Sequence, residues 1–378
     1  MAAPEKNTIV SRGGGNRNLG IDALRIFAMV LIVVLHVYNR GGAAAGLIDV
    51  GSWDYRLNFP LRTVCKATVD LYALISGYVM VTGRFRPARY MELWLQVFFL
   101  GVTGCILWKH ALPGEPTPEM WRMAFLPVTA HEFWYFTAYT VVFLFSPLLN
   151  RGMLAMTKRQ LRALMLGVFL LLSVGWVAGK MLYGDSFYLG SGYSGLWLMA
   201  LYILGAGMRL SGFLERTAAW KLWLTILLSL CLIYLVRWQL SKPTLPEKIQ
   251  DWASLADAYT SPLILTISLC IFRLFTRLQV RGIGAGVVRF LSPLTFGVYV
   301  IHVHDAVWTP LHNAFRPFSE LPGYARMLAV LFTGVAIFLA CALIDWLRSL
   351  LFRLLRVRTL CELAENKLKK LWQTAEQE

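Results

Sequence analysis

The chain has 378 residues, 57% of them hydrophobic and 15% charged, with a formal net charge of +16. So apolar a composition excludes an ordinary soluble domain. The positive charge clusters between long apolar runs, an orientation signal of membrane proteins, with no nucleic-acid-binding signature beside it.

The chain opens on "MAAPEKNTIVSRGGGNRN", and residues 1–17 are predicted to form a flexible polar segment. The apolar run that follows has no small-residue cleavage site and is read as an uncleaved first span. A helix rises about 1.5 Å per residue, so runs near 18 residues cross a hydrocarbon core of about 30 Å. Backbone groups in lipid must be satisfied within their own segment, which favours helices, and the alternating strands of a barrel are not seen. The expected fold is therefore an all-α integral membrane protein, a polytopic bundle of about ten transmembrane helices. In chain order the spans fall near 21–40, 61–83, 91–110, 132–149, 163–183, 195–210, 221–238, 258–275, 290–308 and 325–347.

The connections after every second span are basic, as in "RFRPAR" and "RGMLAMTKRQLR". This bias predicts that both termini are cytoplasmic. Residues 348–378 read as a basic amphipathic tail, either drawn to anionic lipid on the inner leaflet or simply solvated. The cysteines Cys65, Cys105, Cys231, Cys270, Cys341 and Cys361 are scattered and form no CxxC pair. Neither a disulfide framework nor a metal site is expected from them.

Ionisable residues inside spans are costly and point to function by default. The first span, "IDALRIFAMVLIVVLHVYNR", carries Asp22, Arg25 and His36. Arg25 either snorkels to headgroups or takes part in a site, and Asp22 is its i,i+3 neighbour. Arg25 and His36 are nearly three helical turns apart, so they share one face and are separated by about 16 Å along the axis. They could line one groove, with His36 deep along it. His36 is then either a hydrogen-bonded core residue or a proton acceptor. The second span, "TVDLYALISGYVM", adds Asp70 as an intramembrane carboxylate and Ser76, Gly77 and Tyr78 as a small-residue packing patch with hydroxyls. Arg84, Arg86 and Arg89 follow it. They are either positive-inside anchors or a guanidinium cluster suited to phosphates.

These residues carry a resemblance. The Arg25–His36 spacing, with Asp22 before it, resembles the opening signature of the membrane-bound acyltransferase family 3. "YALISGYVM", "RFRPAR", "HEFWYFTAYTVVFLFSPLL" and "FLSPLTFGVYVIHVHD" are similar to four further stretches of that family. The likeness covers roughly residues 18–347, which would form the transmembrane domain. The arginine cluster departs from the Arg-x-x-x-Arg seen in some members, because here the three are spaced Arg84-x-Arg86-x-x-Arg89.

The resemblance implies a multi-pass protein of the bacterial plasma membrane that takes an acetyl group from cytoplasmic acetyl-CoA. It implies transfer to a hydroxyl of a cell-envelope glycan, a lipid-linked sugar or another surface acceptor, with no covalently bound cofactor and no nucleic-acid partner. On this reading Arg25 and the cluster Arg84, Arg86 and Arg89 hold the donor phosphates. His36 is the general base or a transient acyl carrier, and Asp22 orients Arg25. Ser76 and Tyr78 help shape the acyl site. Asp70, Trp134 and His302 are candidates to line the cavity, with a structural hydrogen bond as the other reading of His302. Trp134 is also read as an interfacial aromatic, and His131 beside it is a weaker candidate. A small-molecule or proton-coupled transporter is the alternative, because such bundles also hold Asp, Arg and His in their spans.

Overall fold

The computed structural model describes residues 17–111, 114–129 and 133–375, with side chains through residue 370. His131 and all of the predicted N-terminal segment except Arg17 lie outside the described residues. Every regular element among the described residues is helical. The longer helices are α1 (Leu19–Asn39), α2 (Trp53–Met80), α3 (Pro87–Ala111), α5 (Trp134–Leu154), α8 (Gly195–Ser211), α9 (Ala219–Leu240), α11 (Pro262–Thr276), α15 (Gly323–Leu354) and α16 (Val357–Ala375). Between them lie α4 (Pro118–Phe125), α6 (Lys158–Phe169), α7 (Gly175–Leu182), α10 (Glu247–Trp252), α12 (Gly282–Leu291), α13 (Thr295–Val303) and α14 (Asp305–Leu311).

Among the described residues, seven helical stretches are long and apolar enough to cross a membrane. They are α1, α3, α6 with α7, α9, α10 with α11, α12 with α13, and α15. The other three expected spans fall on α2, α5 and α8. The first two carry more polar residues, and α8 is a shorter apolar helix. The chain is thus an all-helical, multi-pass membrane protein.

Three boundaries differ from expectation for physical reasons. The ninth span starts at Gly282 and not near 290, because α12 continues through a 3₁₀ turn into α13. The second starts at Trp53, where Ser52 caps α2 by accepting the Tyr55 N–H. Helix α15 runs on to Leu354, so the tail helix begins at Val357.

Local chemistry sets the two elements that matter most for the site. The side chain of Asn18 caps α1 by accepting the N–H groups of Gly20 and Ile21 at 2.9 and 3.3 Å. Asn18 also donates to the Thr276 carbonyl, which ties the start of α1 to the end of α11. Helix α2 runs antiparallel to α1. The Tyr38 hydroxyl meets Asn58 at one end of the pair, and the Tyr72 hydroxyl meets the Arg25 carbonyl at the other.

Helix α2 crosses α8 at a pair of glycines. A Cβ on Gly77 would lie 1.9 Å from the Tyr202 carbonyl oxygen, and one on Gly205 would lie 2.0 Å from that of Leu74. The two backbones touch directly, which is how helices pack where no hydrophobic force separates them from lipid. Gly205→Ala is therefore expected to cost about 1–3 kcal/mol by overpacking. Thermal unfolding of the purified protein checks this, and an unchanged midpoint would contradict the crossing.

Candidate active site

Asp22 sits in the first turn of α1 and is 1% exposed. Its carboxylate bonds Arg25 Nη1 at 2.6 Å, accepts from Ser292 Oγ at 3.1 Å and pairs with Arg17. A buried carboxylate is stable only when paired and hydrogen-bonded, and here it is both. Arg25 is thereby held at the start of α1, with 29% of its side chain still exposed.

His36 lies three turns further along the same helix and is partly buried. Its Nδ1 is 2.9 Å from Nε2 of His302, which is fully buried on α13. His302 Nδ1 is in turn 2.7 Å from the Val298 carbonyl oxygen. A carbonyl can only accept, so His302 Nδ1 carries the proton. In the neutral pair His302 Nε2 must then accept, and His36 Nδ1 must donate to it. His36 Nε2 is left as a bare lone pair. The chain Val298–His302–His36 thus fixes the tautomer of the outermost ring, as partners of a histidine commonly do.

Aromatic side chains connect Arg25 to this pair. The Tyr72 hydroxyl donates to the Arg25 carbonyl at 2.7 Å, and its ring is 6.4 Å from that of Tyr135. The ring of Tyr135 is 6.1 Å from that of Tyr299, which is 6.3 Å from His302. The Tyr135 hydroxyl is buried with no hydrogen-bond partner among the described residues. Trp308 closes the far side. It stands edge-on to His36 at 5.7 Å, and its indole N–H is likewise buried without a partner among the described residues. Buried donors of this kind are rare in folded proteins and call for an explanation. A ligand carbonyl or hydroxyl beside either ring would supply its acceptor.

The other expected site residues have different surroundings. Asp70 is buried between helices and accepts from Trp197 Nε1 at 3.1 Å and Ser268 Oγ at 3.4 Å. Ser76 bonds back to the Tyr72 carbonyl one turn earlier. Tyr78 lies under Arg209, whose guanidinium is 5.1 Å from its ring, and meets Phe272 edge-on. Trp134 packs on Tyr193 and Tyr135 rather than on either histidine.

Arg84, Arg86 and Arg89 are all exposed. Arg86 and Arg89 line a cavity of about 280 Å³ with Arg358 of the tail, and Glu92, Glu362 and Glu365 line it too.

The tail is docked rather than free. Glu365 accepts the Ala88 N–H at 2.9 Å, which satisfies an orphan donor at the start of α3, and it pairs with Lys369. Lys369 and that N–H hold the Glu365 carboxyl below its ordinary range. A carboxyl depressed in the folded state stabilises only while ionised. The contribution is present above its unfolded value and is lost as pH falls through the folded one. Glu365→Gln, or acidification through and below the ordinary carboxyl range, is expected to speed hydrogen exchange in α16 while leaving α1 unchanged. Equal protection of α16 in the variant would show that Glu365 does not anchor it.

Of the residues beside the histidine pair, Trp308, Tyr135 and Tyr299 were not singled out from the sequence. Tyr299 precedes His302 by three positions, so helical spacing could have placed it on the same face. Nothing local marks Trp308 or Tyr135.

An all-helical bundle with a hydrogen-bonded histidine pair and a paired arginine on its first helix defines the class: a multi-pass membrane protein with ionisable groups inside its spans. A family model for an acyltransferase domain matches residues 18–346, most of the chain. The chain belongs to the membrane acyltransferase family 3. No curated protein and no solved structure matches it.

Proposed function

We propose that this membrane acyltransferase moves an acetyl group from acetyl-CoA to a hydroxyl of a cell-envelope glycan or lipid-linked sugar. The observation that carries the proposal is the hydrogen-bonded chain from Val298 through His302 to His36, which leaves His36 Nε2 free to accept a proton. The basic stretches put Arg25 and the tail at the cytoplasmic end, where the donor is available. Arg25 and the arginines Arg86 and Arg89 bind the donor phosphates, because guanidinium groups hold phosphates by paired charged hydrogen bonds. The donor's arm spans the roughly 16 Å of helix between Arg25 and His36. Tyr135 and Trp308 donate to carbonyl oxygens along it.

At the far end of the arm the acceptor hydroxyl gives its proton to His36 Nε2. Its oxygen attacks the thioester carbonyl, the carbon–sulfur bond breaks, and His36 returns the proton to the leaving thiolate. The products are an acetyl ester and free CoA. Held in place by His302, His36 contributes as a general base.

The decisive assay incubates the purified protein in vesicles with acetyl-labelled acetyl-CoA and extracted envelope glycans. Alkali-labile label on the glycan is expected. Proton-coupled uptake of a solute with no thioester requirement would replace this reading with a transporter.

A further inference from the structure

A second group of charged residues lies on the other side of α1 from His36. Tyr38 follows His36 by two positions, about 200° around the helix, and so faces away from the histidine pair. Over its ring stands the guanidinium of Arg62, 5.8 Å from the centroid. One turn along α2 from Arg62, Lys66 bonds Asp257 at 2.6 Å. Asp257 also accepts from Arg237 Nη1 at 2.9 Å, and Arg237 Nε donates to the Tyr55 hydroxyl at 2.8 Å. Lys66 and Arg237 meet at Asp257, and Arg62 lies one turn before Lys66 on the same helix, so these groups form one cluster.

The charges do not balance. Lys66 and Arg237 share the Asp257 carboxylate, and Arg62, one turn before Lys66 on α2, has no ion pair among the described residues, so three positive groups stand with one carboxylate and two positive charges are in excess. Arg62 Nε is buried and has no hydrogen-bond partner among the described residues. Uncompensated charge and an orphan donor within a helical bundle are both unfavourable. The cluster is also reachable, since the side chains of Lys66 and Arg237 stay 25% and 22% exposed.

We infer that this cluster is a binding site for a phosphate-type oxyanion, located at the α1 C-terminal end of the bundle and separate from the histidine pair. A phosphate monoester carries about −1.5 to −2 charges at neutral pH, which matches the excess better than a single carboxylate does. Arg62 supplies the unused N–H, and Lys66 and Arg237 supply the remaining positive field. The oxyanion comes either from a lipid phosphate in the adjoining leaflet or from a soluble phosphate. This site does not depend on the identity of the acyl acceptor.

The test titrates the purified full chain in maltoside micelles with dioleoyl phosphatidic acid, inorganic phosphate or phosphatidylcholine and follows the unfolding temperature. Either phosphate probe is expected to raise it, while phosphatidylcholine leaves it unchanged. A shift with phosphatidic acid alone assigns the site to a lipid, and a shift with inorganic phosphate assigns it to a soluble ligand. Arg62→Gln is expected to weaken the half-saturation point roughly ten- to hundredfold, the loss of one charged hydrogen-bond donor. Arg62→Lys is expected to retain part of the binding. Should Arg62→Gln not fold, Lys66→Gln reads the same site. No shift of the wild-type protein with either phosphate probe overturns the inference. An equal shift in wild type and variant does the same, because it puts the anion elsewhere.

Discussion

His36→Ala is expected to reduce acetyl transfer by about 10²–10⁴-fold, the usual contribution of a positioned general base. The protein should still insert and fold, because His36 is only partly buried and the Asn18 cap and the Asp22–Arg25 pair lie at the far end of α1. His302 acts through His36 and is a positioning residue. His302→Leu leaves His36 Nδ1 without its acceptor, so the ring is no longer held in the tautomer that bares Nε2. A smaller loss is expected there. His302→Gln offers an amide oxygen to the same N–H and should recover part of it. A purely structural role for His302 would show no such recovery. Undiminished transfer by a folded His36→Ala protein would remove general-base catalysis by this residue.

The largest effect on stability is expected at Asp345, in the middle of α15. Its carboxylate is fully buried and takes Arg348 Nε and Nη2 at 2.8 and 2.9 Å, with Gln96 of α3 donating at 2.9 Å. The Arg348 side chain is only 9% exposed. Removing one partner of a buried ion pair strands the other charge, which typically costs about 3–5 kcal/mol. Asp345→Leu should therefore lower the unfolding temperature sharply. Asp345→Leu combined with Arg348→Met should restore much of it, since no charge is then left unpaired. A single variant as stable as the parent would mean that Arg348 finds another partner or solvent.

The parts of this molecule legible in its sequence are those written in a single helix. Arg25 and His36 share a face because helical spacing puts them there, and the Asp22 contact to Arg25 is an i,i+3 relation on the same helix. What the sequence hides is set by partners far along the chain. His302 lies 266 positions from His36, and no local pattern in "YVIHVHD" says which of its histidines turns inward to bond it. His304, two positions on, instead caps α14 by accepting the Ala306 N–H. Arg62 and Lys66 fall inside an expected span, yet their meaning depends on Arg237 and Asp257, which two later segments bring alongside. "GIGAGVV", outside the expected ninth span, is helical, and Gly77 in the "SGY" stretch is a packing contact as its neighbours suggest.

The glycine crossing of α2 and α8 also limits how this protein can move. Helices separated by a layer of side chains can slide, because rotamers give way. At Gly77 and Gly205 main chain rests on main chain, with nothing between to rearrange. The two helices therefore travel as one beam, and the Trp197–Asp70 bond rivets them a second time. Any breathing that admits an acceptor to His36 must take place on the opposite wall. There the helical run breaks at His304, between the strut that carries His302 and the short one that carries Trp308. The helix break and the histidine pair share one side of the molecule, and the other side is its frame.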